Sequence, residues 1–585
     1  MASAGTGTAR AAGGGRGVLL TLCAGQFLMT LDSSVMNVSI ATVSADVGTT
    51  VSGIQTAITF YTLVMAAFMI TGGRLGRIFG RKRVFAVGCV IYGCGSLTTA
   101  LAGNLAVLTV GWSVLEGIGA ALIMPAIVAL VAANFAPPDR PRAYGLVASA
   151  GAIAVATGPL VGGLFTTYLS WRWVFAGEVV VVLVILAFTR RMAESPAGVP
   201  ATPVHQGHQG RQEATGDQQG AAGDQQGAGG EQSRRPRGWS ASLDLTGTGL
   251  SALGLCLVVY GVLRAGSWGL VRPKDGEPAW LGLSPACWLI FAGLCTLRVF
   301  LWWEERRIAR RRPALLDPAM LRNRTLRGGL TSFFFQYLLQ AGLFFVVPLF
   351  LSVSLGLSAV ETGVWLIPLS ATLLAAAVGI PRLLPHASPR RIVRLGFLAL
   401  LGGIVIMIAL LDLGAGPEIV TLPLLLAGLG IGALASQLGS VTVSSVADED
   451  SAEVGGVQNT VTNLGASIGT AVAGTVLIAS LTTSFLAGVR DNPAAPPDLA
   501  AQATVRLAEG APFLSDQDLR SGLAAAGVPA QTTDVIVDEN ARARVTALRA
   551  SLAVLALVAL FATVFTRRIP PRQLAGSGRG PSATG

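Results

Sequence analysis

Apolar runs of roughly twenty residues recur along almost the whole of this 585-residue chain, and no other feature limits its fold so strongly. At 1.5 Å per residue, each run is long enough as a helix to cross a hydrocarbon core about 30 Å thick. In lipid every backbone N–H and C=O needs an internal partner, which leaves helices and closed barrels. These runs are continuous rather than alternately apolar and polar, so they read as helices and not as barrel strands. Composition agrees: 52% of residues are apolar and 12% charged, against about 25% charged in a soluble domain. The fold class is an all-α integral membrane protein.

Fourteen transmembrane helices are expected, near 17–43, 54–73, 84–103, 105–133, 144–168, 173–189, 245–264, 280–301, 328–352, 359–380, 391–413, 416–441, 454–480 and 545–566. They group as six, two and six: an N-terminal six-helix bundle over 17–189, two additional helices over 245–301, and a C-terminal six-helix bundle over 328–566. The stretch 192–243 contains GDQQGAAGDQQGAGG, too poor in apolar side chains to build a core, and reads as a disordered cytoplasmic linker. Within the last group, 482–544 reads either as a small extracellular cap with short amphipathic helices or as a solvated loop. The first run follows Arg10 and Arg16 as a secretion signal would. It continues past Asp32 to about Val43 without a convincing cleavage site, and so is read as the first helix.

The net charge of +11 points to membrane orientation rather than to nucleic acid. Arg74, Arg77, Arg81, Lys82 and Arg83 follow the second helix, Arg140 and Arg142 the fourth, and Arg190 and Arg191 the sixth. Further basic clusters run from Arg306 to Arg327, from Arg382 to Arg394, and at Arg567 and Arg568. All of these fall on one side if both termini are cytoplasmic, while the opposite short loops carry mainly Arg172, Arg264, Arg272 and Lys274. The expected location is the cytoplasmic membrane, crossed many times. The six cysteines lie in apolar helices without metal-ligand spacing, so no metal or disulfide is expected. His205 and His208 lie in the linker, and His386 lies in a basic loop. A GxxxxGK[ST] phosphate loop is absent, as is any nucleophile–base set, so no cofactor, ATP coupling or enzyme activity is expected.

Two motifs stand out. Gly73-Arg-Leu-Gly-Arg-Ile-Phe-Gly80-Arg-Lys-Arg83 combines glycines that permit a tight turn with cations that face an anionic leaflet and acidic helix ends. Gly158-Pro159-Leu-Val-Gly162-Gly163 removes a backbone hydrogen bond from a helix and lets a neighbour approach closely. A kinked, closely packed helix suits two bundles that rock against each other.

With these motifs the chain resembles the major facilitator superfamily, in particular its fourteen-helix drug:proton antiporter family. The first loop resembles the superfamily's signature loop, with Gly73, Arg77, Gly80 and Arg81 as gating residues. Gly158, Pro159, Gly162 and Gly163 resemble the antiporter motif. Leu31-Asp32-Ser-Ser-Val-Met-Asn37-Val resembles the helix-one motif of the fourteen-helix branch, and Trp171-Arg172-Trp173-Val-Phe175 the segment joining helices five and six. The chain departs from the family in carrying Arg77 where an aspartate is usual. At the family's helix-four arginine and Gln-Gly it reads Ser113, Glu116 and Gly117. The resemblance implies two six-helix bundles around a central cavity.

Charged groups inside a membrane are functional candidates by default. Asp32 and Glu116 each lie about eleven residues, or roughly 16 Å, from the outer ends of helices one and four. Two carboxylates at one depth are able to take up and release protons, or to attract a cationic substrate. Glu178 and Asp412, nearer helix ends, read as interfacial. Asn37, Ser113, Gln336, Tyr337, Gln340 and Gln437 are the expected cavity residues, with Gln336 and Gln340 four apart on one helix face. The expected function is export of hydrophobic or cationic small molecules in exchange for protons by a monomer. The rival readings are a proton-independent facilitator or importer, and a membrane sensor or assembly protein acting through 482–544.

Overall fold

The computed structural model describes residues 7–135, 139–190, 192, 244–273, 279–312, 314–384, 387–443, 445, 451–492, 513–525 and 528–569. Thirteen helices are long and apolar enough to cross a membrane. These are α1 (Arg16–Asp46), α2 (Val51–Gly76), α3 (Arg81–Ala100), α4 (Leu105–Val131), α5 (Ala143–Tyr168) and α6 (Arg172–Thr189). Next come α7 (Leu245–Ala265) and α8 (Pro285–Ala309), then α9 (Arg324–Ser354). A fourteenth span, α10, is a bent pair, Ala359–Trp365 and Ile367–Leu383, that turns by 41° at its break. The last four are α11 (Pro389–Leu410), α12 (Pro417–Gly439), α13 (Val454–Asp491) and α14 (Ala530–Arg568). The six-two-six order read from hydropathy is thus present.

The two groups of six repeat one packing scheme, eight helices apart. In the first, α1 lies on α5, α4 on both α2 and α3, and α3 on α6. In the second, α9 lies on α13, α12 on both α10 and α11, and α11 on α14. Contacts between the halves obey the same relation, since α2 meets α13 and α5 meets α10. Internal repeats of this kind place a binding site at their interface. The hairpin α7–α8 stands outside one seam, where α7 touches both α2 and α13. Thr71 pairs with Thr248 at 3.1 Å across the α2–α7 contact.

Small residues set how close the halves come. A Cβ on Gly163 would strike the carbonyl oxygen of Ala359, and one on Gly363 that of Pro159, so α5 and α10 touch backbone to backbone. Val360 N–H donates to Thr167 at 3.0 Å in the same seam. Across the other seam Gln55 donates to the Thr470 carbonyl at 3.1 Å, and Ser467 to that of Thr59 at 3.0 Å. These contacts lie on the side away from the basic clusters, termed the far face here; the side carrying the clusters is the basic face.

Two sequence expectations lie wholly or partly outside the described residues: the linker, from 193 to 243, and 493–512 of the long segment in the second half. The rest of that segment includes a short helix, as one of the two readings expected, but more of it continues α13 and α14 than either reading foresaw. α13 runs on to Asp491 and α14 begins at Ala530, with a short helix at Asp516–Ala525 between them. Arg544, 3% exposed, ties this region down by pairing with Asp516. Asn492 donates to Glu539 at 2.8 Å.

Candidate functional site

Three carboxylates meet inside the first half. One oxygen from each of Asp32, Glu116 and Glu178 lies within 4.8 Å of the others, and the three residues are 0%, 0% and 2% exposed. α4 supplies Glu116 from a stretch of π-helix, Thr109–Glu116. Such widened turns recur at functional sites. Trp112 and Glu116 stand four positions apart in this stretch, which packs on α2 and α3. Trp112 Nε1 donates to both Asp32 oxygens, at 2.8 and 3.0 Å. Glu116 accepts from Thr99 at 3.0 Å, while Glu178 accepts from Ser96 at 2.7 Å and Tyr92 at 3.2 Å. Glu116 Oε2 and Glu178 Oε1 have no hydrogen-bond partner.

No arginine or lysine pairs with these acids among the described residues. Three charges so close together in a buried site repel strongly, so the cluster must hold protons or a cation. As a ligand set it offers carboxylate oxygens alone, which suits a hard cation.

Glu178 corrects the sequence reading, which set it aside as interfacial. It stands only six positions after Arg172 in its helix, but its side chain turns inward onto Tyr92 and Ser96 of α3. Trp171 is buried and donates to Asp46, and Arg172 bonds Asp46 at 2.6 Å and the Ala102 carbonyl at 3.0 Å. The signals available were an acid in an otherwise apolar helix and the Tyr92/Ser96 pair, one turn apart on α3. Asp412, by contrast, is exposed near Arg549, as expected of an interfacial group.

A cavity of about 190 Å³ lies between the halves, walled by α1, α2, α4 and α5 on one side and α9 and α13 on the other. Asn37, Tyr337 and Gln340 line it, as do Gln26, Asn459 and Asn463, which sequence reading did not single out. Gln336, Ser113 and Gln437 do not line it, contrary to expectation. Ser113 donates to the Ala57 carbonyl at 2.8 Å inside the first half, and Gln336 is 2% exposed with its Oε1 unpartnered. Four-residue spacing set Gln336 and Gln340 on one helix, but the rotation of α9 turns only Gln340 to the opening. Tyr61 and Trp112 also line the cavity, stacked 4.9 Å apart at 4°. None of the three acids does, so this aromatic pair partitions the cavity from the cluster.

The gating motifs fall at helix contacts. The second helix continues past its span to Phe79, and Gly80, with φ 94°, is the single residue before the third helix starts at Arg81. That sign of φ favours glycine. Arg81 reaches the Ala129 carbonyl of α4 at 3.1 Å. Gly73 faces Pro125 of α4; the side chain of Arg77 lies outside the described set. Gly158 and Gly162 bring α5 onto Ser34 and Val35 of α1, and Gly163 meets α10.

A chain of like helical halves around a polar-spotted central cavity belongs to the class of alternating-access membrane transporters. The model of the Major Facilitator Superfamily matches residues 22–470, and the chain belongs to that superfamily. It is a multi-pass membrane transporter of small molecules. It is similar to the puromycin resistance protein pur8 of Streptomyces alboniger, at 30% identity over 82% of this chain and 85% of that one. The probable actinorhodin transporter of Streptomyces coelicolor is 28% identical, over 83% and 75%. The tetracenomycin C resistance and export protein of Streptomyces glaucescens is 27% identical, over 79% and 76%. Among solved structures, a bacterial homolog of the human lysosomal transporter Spinster, inward-facing and unoccupied, superposes with a TM-score of 0.56 at 14% identity. That match covers 96% of this chain and 99% of that one.

Proposed function

We propose that the protein exports hydrophobic or cationic small molecules across the cytoplasmic membrane in exchange for protons, with its basic face and both termini in the cytoplasm. It works as a monomer. The observation that carries the reading is a buried group of three carboxylates without a counter-charge, one stacked aromatic pair away from the central cavity. An unpaired charge at mid-membrane costs about 3 kcal/mol even on insertion scales. Asp32, Glu116 and Glu178 therefore stay partly protonated while the far face is closed, and Trp112 is the member of the partition that touches both compartments. Substrate enters the cavity from the cytoplasm and displaces the Tyr61–Trp112 pair. The Asp32 hydrogen bond shifts, and a proton leaves toward the cytoplasm. The halves then rock about the α5–α10 and α2–α13 seams, and the emptied cluster takes a proton from outside as substrate departs.

The names of the relatives support the direction and substrate class, since they are resistance and export proteins for antibiotics. The amides of Gln26, Asn37, Gln340, Asn459 and Asn463 share the cavity wall with hydroxyls, methionines and aromatic rings, a mixed polar and apolar lining that suits amphipathic cargo.

The test is dye or drug efflux from proteoliposomes under an imposed pH gradient, comparing the native chain with Asp32→Asn. Gradient-driven transport that disappears in the variant is expected. Equal transport with and without the gradient contradicts antiport and identifies a facilitator. The convergence of the three acids also favours a second reading, metal-cation exchange, which predicts that a sodium or divalent-cation gradient replaces the proton gradient. Transport that survives deletion of 493–525 removes any need for a sensor role of the long segment.

A further inference from the structure

At the basic face of the second half, five arginine side chains enclose a cavity of about 440 Å³: Arg324, Arg327, Arg390, Arg567 and Arg568. They come from three helices, the start of α9, the start of α11 and the end of α14. No ion pair joins any of them to a carboxylate among the described residues. Five like charges gathered around one space repel, and nothing in the transport cycle above uses them.

The backbone holding them is fixed. Gly328 lets the last turn of α14 lie directly on α9, where a Cβ would come within 3.0 Å of Arg568 Cβ. Arg390 Nε donates to the Ile569 carbonyl at 2.6 Å, and Thr566 and Ile569 are buried. The Arg568 guanidinium lies 5.1 Å over the Phe565 ring. Guanidinium groups are planar five-donor forks that match phosphate oxygens. A pocket of them on a preformed frame has the charge and geometry to hold phosphate.

The surface beside the pocket identifies the phosphate's carrier. Leu557, Leu560, Phe561 and Val564 are 65%, 54%, 55% and 55% exposed. Their spacing makes one continuous apolar stripe along α14 that ends a turn from Arg568. In a membrane such a stripe faces acyl chains, and a free phosphate ion would make no use of it. We propose that this pocket binds the phosphate headgroup of an anionic phospholipid in the adjacent leaflet, with the acyl chains lying along the α14 stripe. Basic pockets between helices hold such headgroups in other membrane proteins. Five guanidiniums around one space suit a headgroup with two phosphates, such as cardiolipin, better than one with a single phosphate.

The test uses the purified full chain, with bound lipid read by native mass spectrometry and thermal unfolding. The probes are cardiolipin, phosphatidylglycerol, phosphatidylcholine and inorganic phosphate. Cardiolipin and phosphatidylglycerol are expected to bind and raise the unfolding temperature, while phosphatidylcholine and millimolar phosphate do neither. Arg324→Gln with Arg327→Gln should weaken anionic-lipid binding about tenfold or more. Arg567→Gln alone should weaken it less, and Arg382→Gln, outside the pocket, should leave it unchanged. Among the described residues the side chains of the two α9 arginines make no hydrogen bond, so their replacement tests binding without touching the frame. Binding unaffected by the α9 pair, equal binding of phosphatidylcholine, or an arginine-dependent shift with inorganic phosphate equal to that with lipid would each overturn the assignment.

Discussion

The two halves share a packing scheme but not a chemistry. The first carries three acids in its core, against hydroxyls of α3 and an indole of α4. Among the described residues of the second, acids such as Glu361, Asp412, Glu418 and Asp491 sit at helix ends or on the extensions past the far face. What α9 and α13 offer the cavity instead is Tyr337, Gln340, Asn459, Thr462 and Asn463. Neutral amides and hydroxyls orient a ligand without changing charge, whereas a crowded carboxylate group changes charge readily. On the function proposed above, coupling belongs to the first half and recognition to the interface, with the stacked Tyr61–Trp112 pair between them.

The sharpest way to break this division is to neutralise the acid that the partition touches. Asp32→Asn is expected to reduce gradient-driven export by about a hundredfold or more, the scale of a lost proton-transfer group, while downhill leak of substrate continues. Vesicle efflux with and without the gradient separates the two. The seam comes next. Gly363→Val places side-chain atoms against the Pro159 carbonyl, a strain of about 1–3 kcal/mol borne only while the far face is shut. Thiol labelling of Thr167→Cys, at the same seam, should therefore rise in that background.

Glu178→Gln keeps acceptor capacity toward Ser96 and Tyr92 but removes one titrating group. It should leave folding intact and flatten the dependence of export on pH, because one titrating group is gone. An unchanged pH profile would return Glu178 to a structural role. The smallest effect is expected in the second half. Gln340→Ala should alter KM by about threefold, within the range of a single modest hydrogen bond, and leave the pH profile in place. A shift of that profile would mean that coupling is not confined to the first half.

Hydropathy made the helices legible, down to the six-two-six grouping, because spanning a membrane dictates both length and composition. Asp32 and Glu116 were legible for the same reason, as charges inside apolar runs. Glu178 was not, because its depth was measured from a helix start taken to be at the surface. Distance from a helix end does not say which way a side chain faces, and that of Glu178 faces Tyr92 and Ser96 of α3. Gln336, Ser113 and Gln437 failed for a different reason. Periodicity tells which residues share a face of one helix, but the rotation of that helix against its neighbours is set by packing elsewhere, such as Gly465 and Gly469 of α13 against the backbone of α9. The bend in α10 comes just before Pro368, a break that the sequence does carry.

The central claim is that substrate in the cavity and protons on the Asp32–Glu116–Glu178 cluster exclude one another through the aromatic partition. It is tested most directly by adding a transported cation to the detergent-solubilised protein in weakly buffered solution and measuring proton release. The account predicts release from the native chain, substrate binding that tightens as pH rises, and no release from Asp32→Asn with Glu116→Gln and Glu178→Gln. Substrate binding to the native chain that is independent of pH and releases no proton would contradict it.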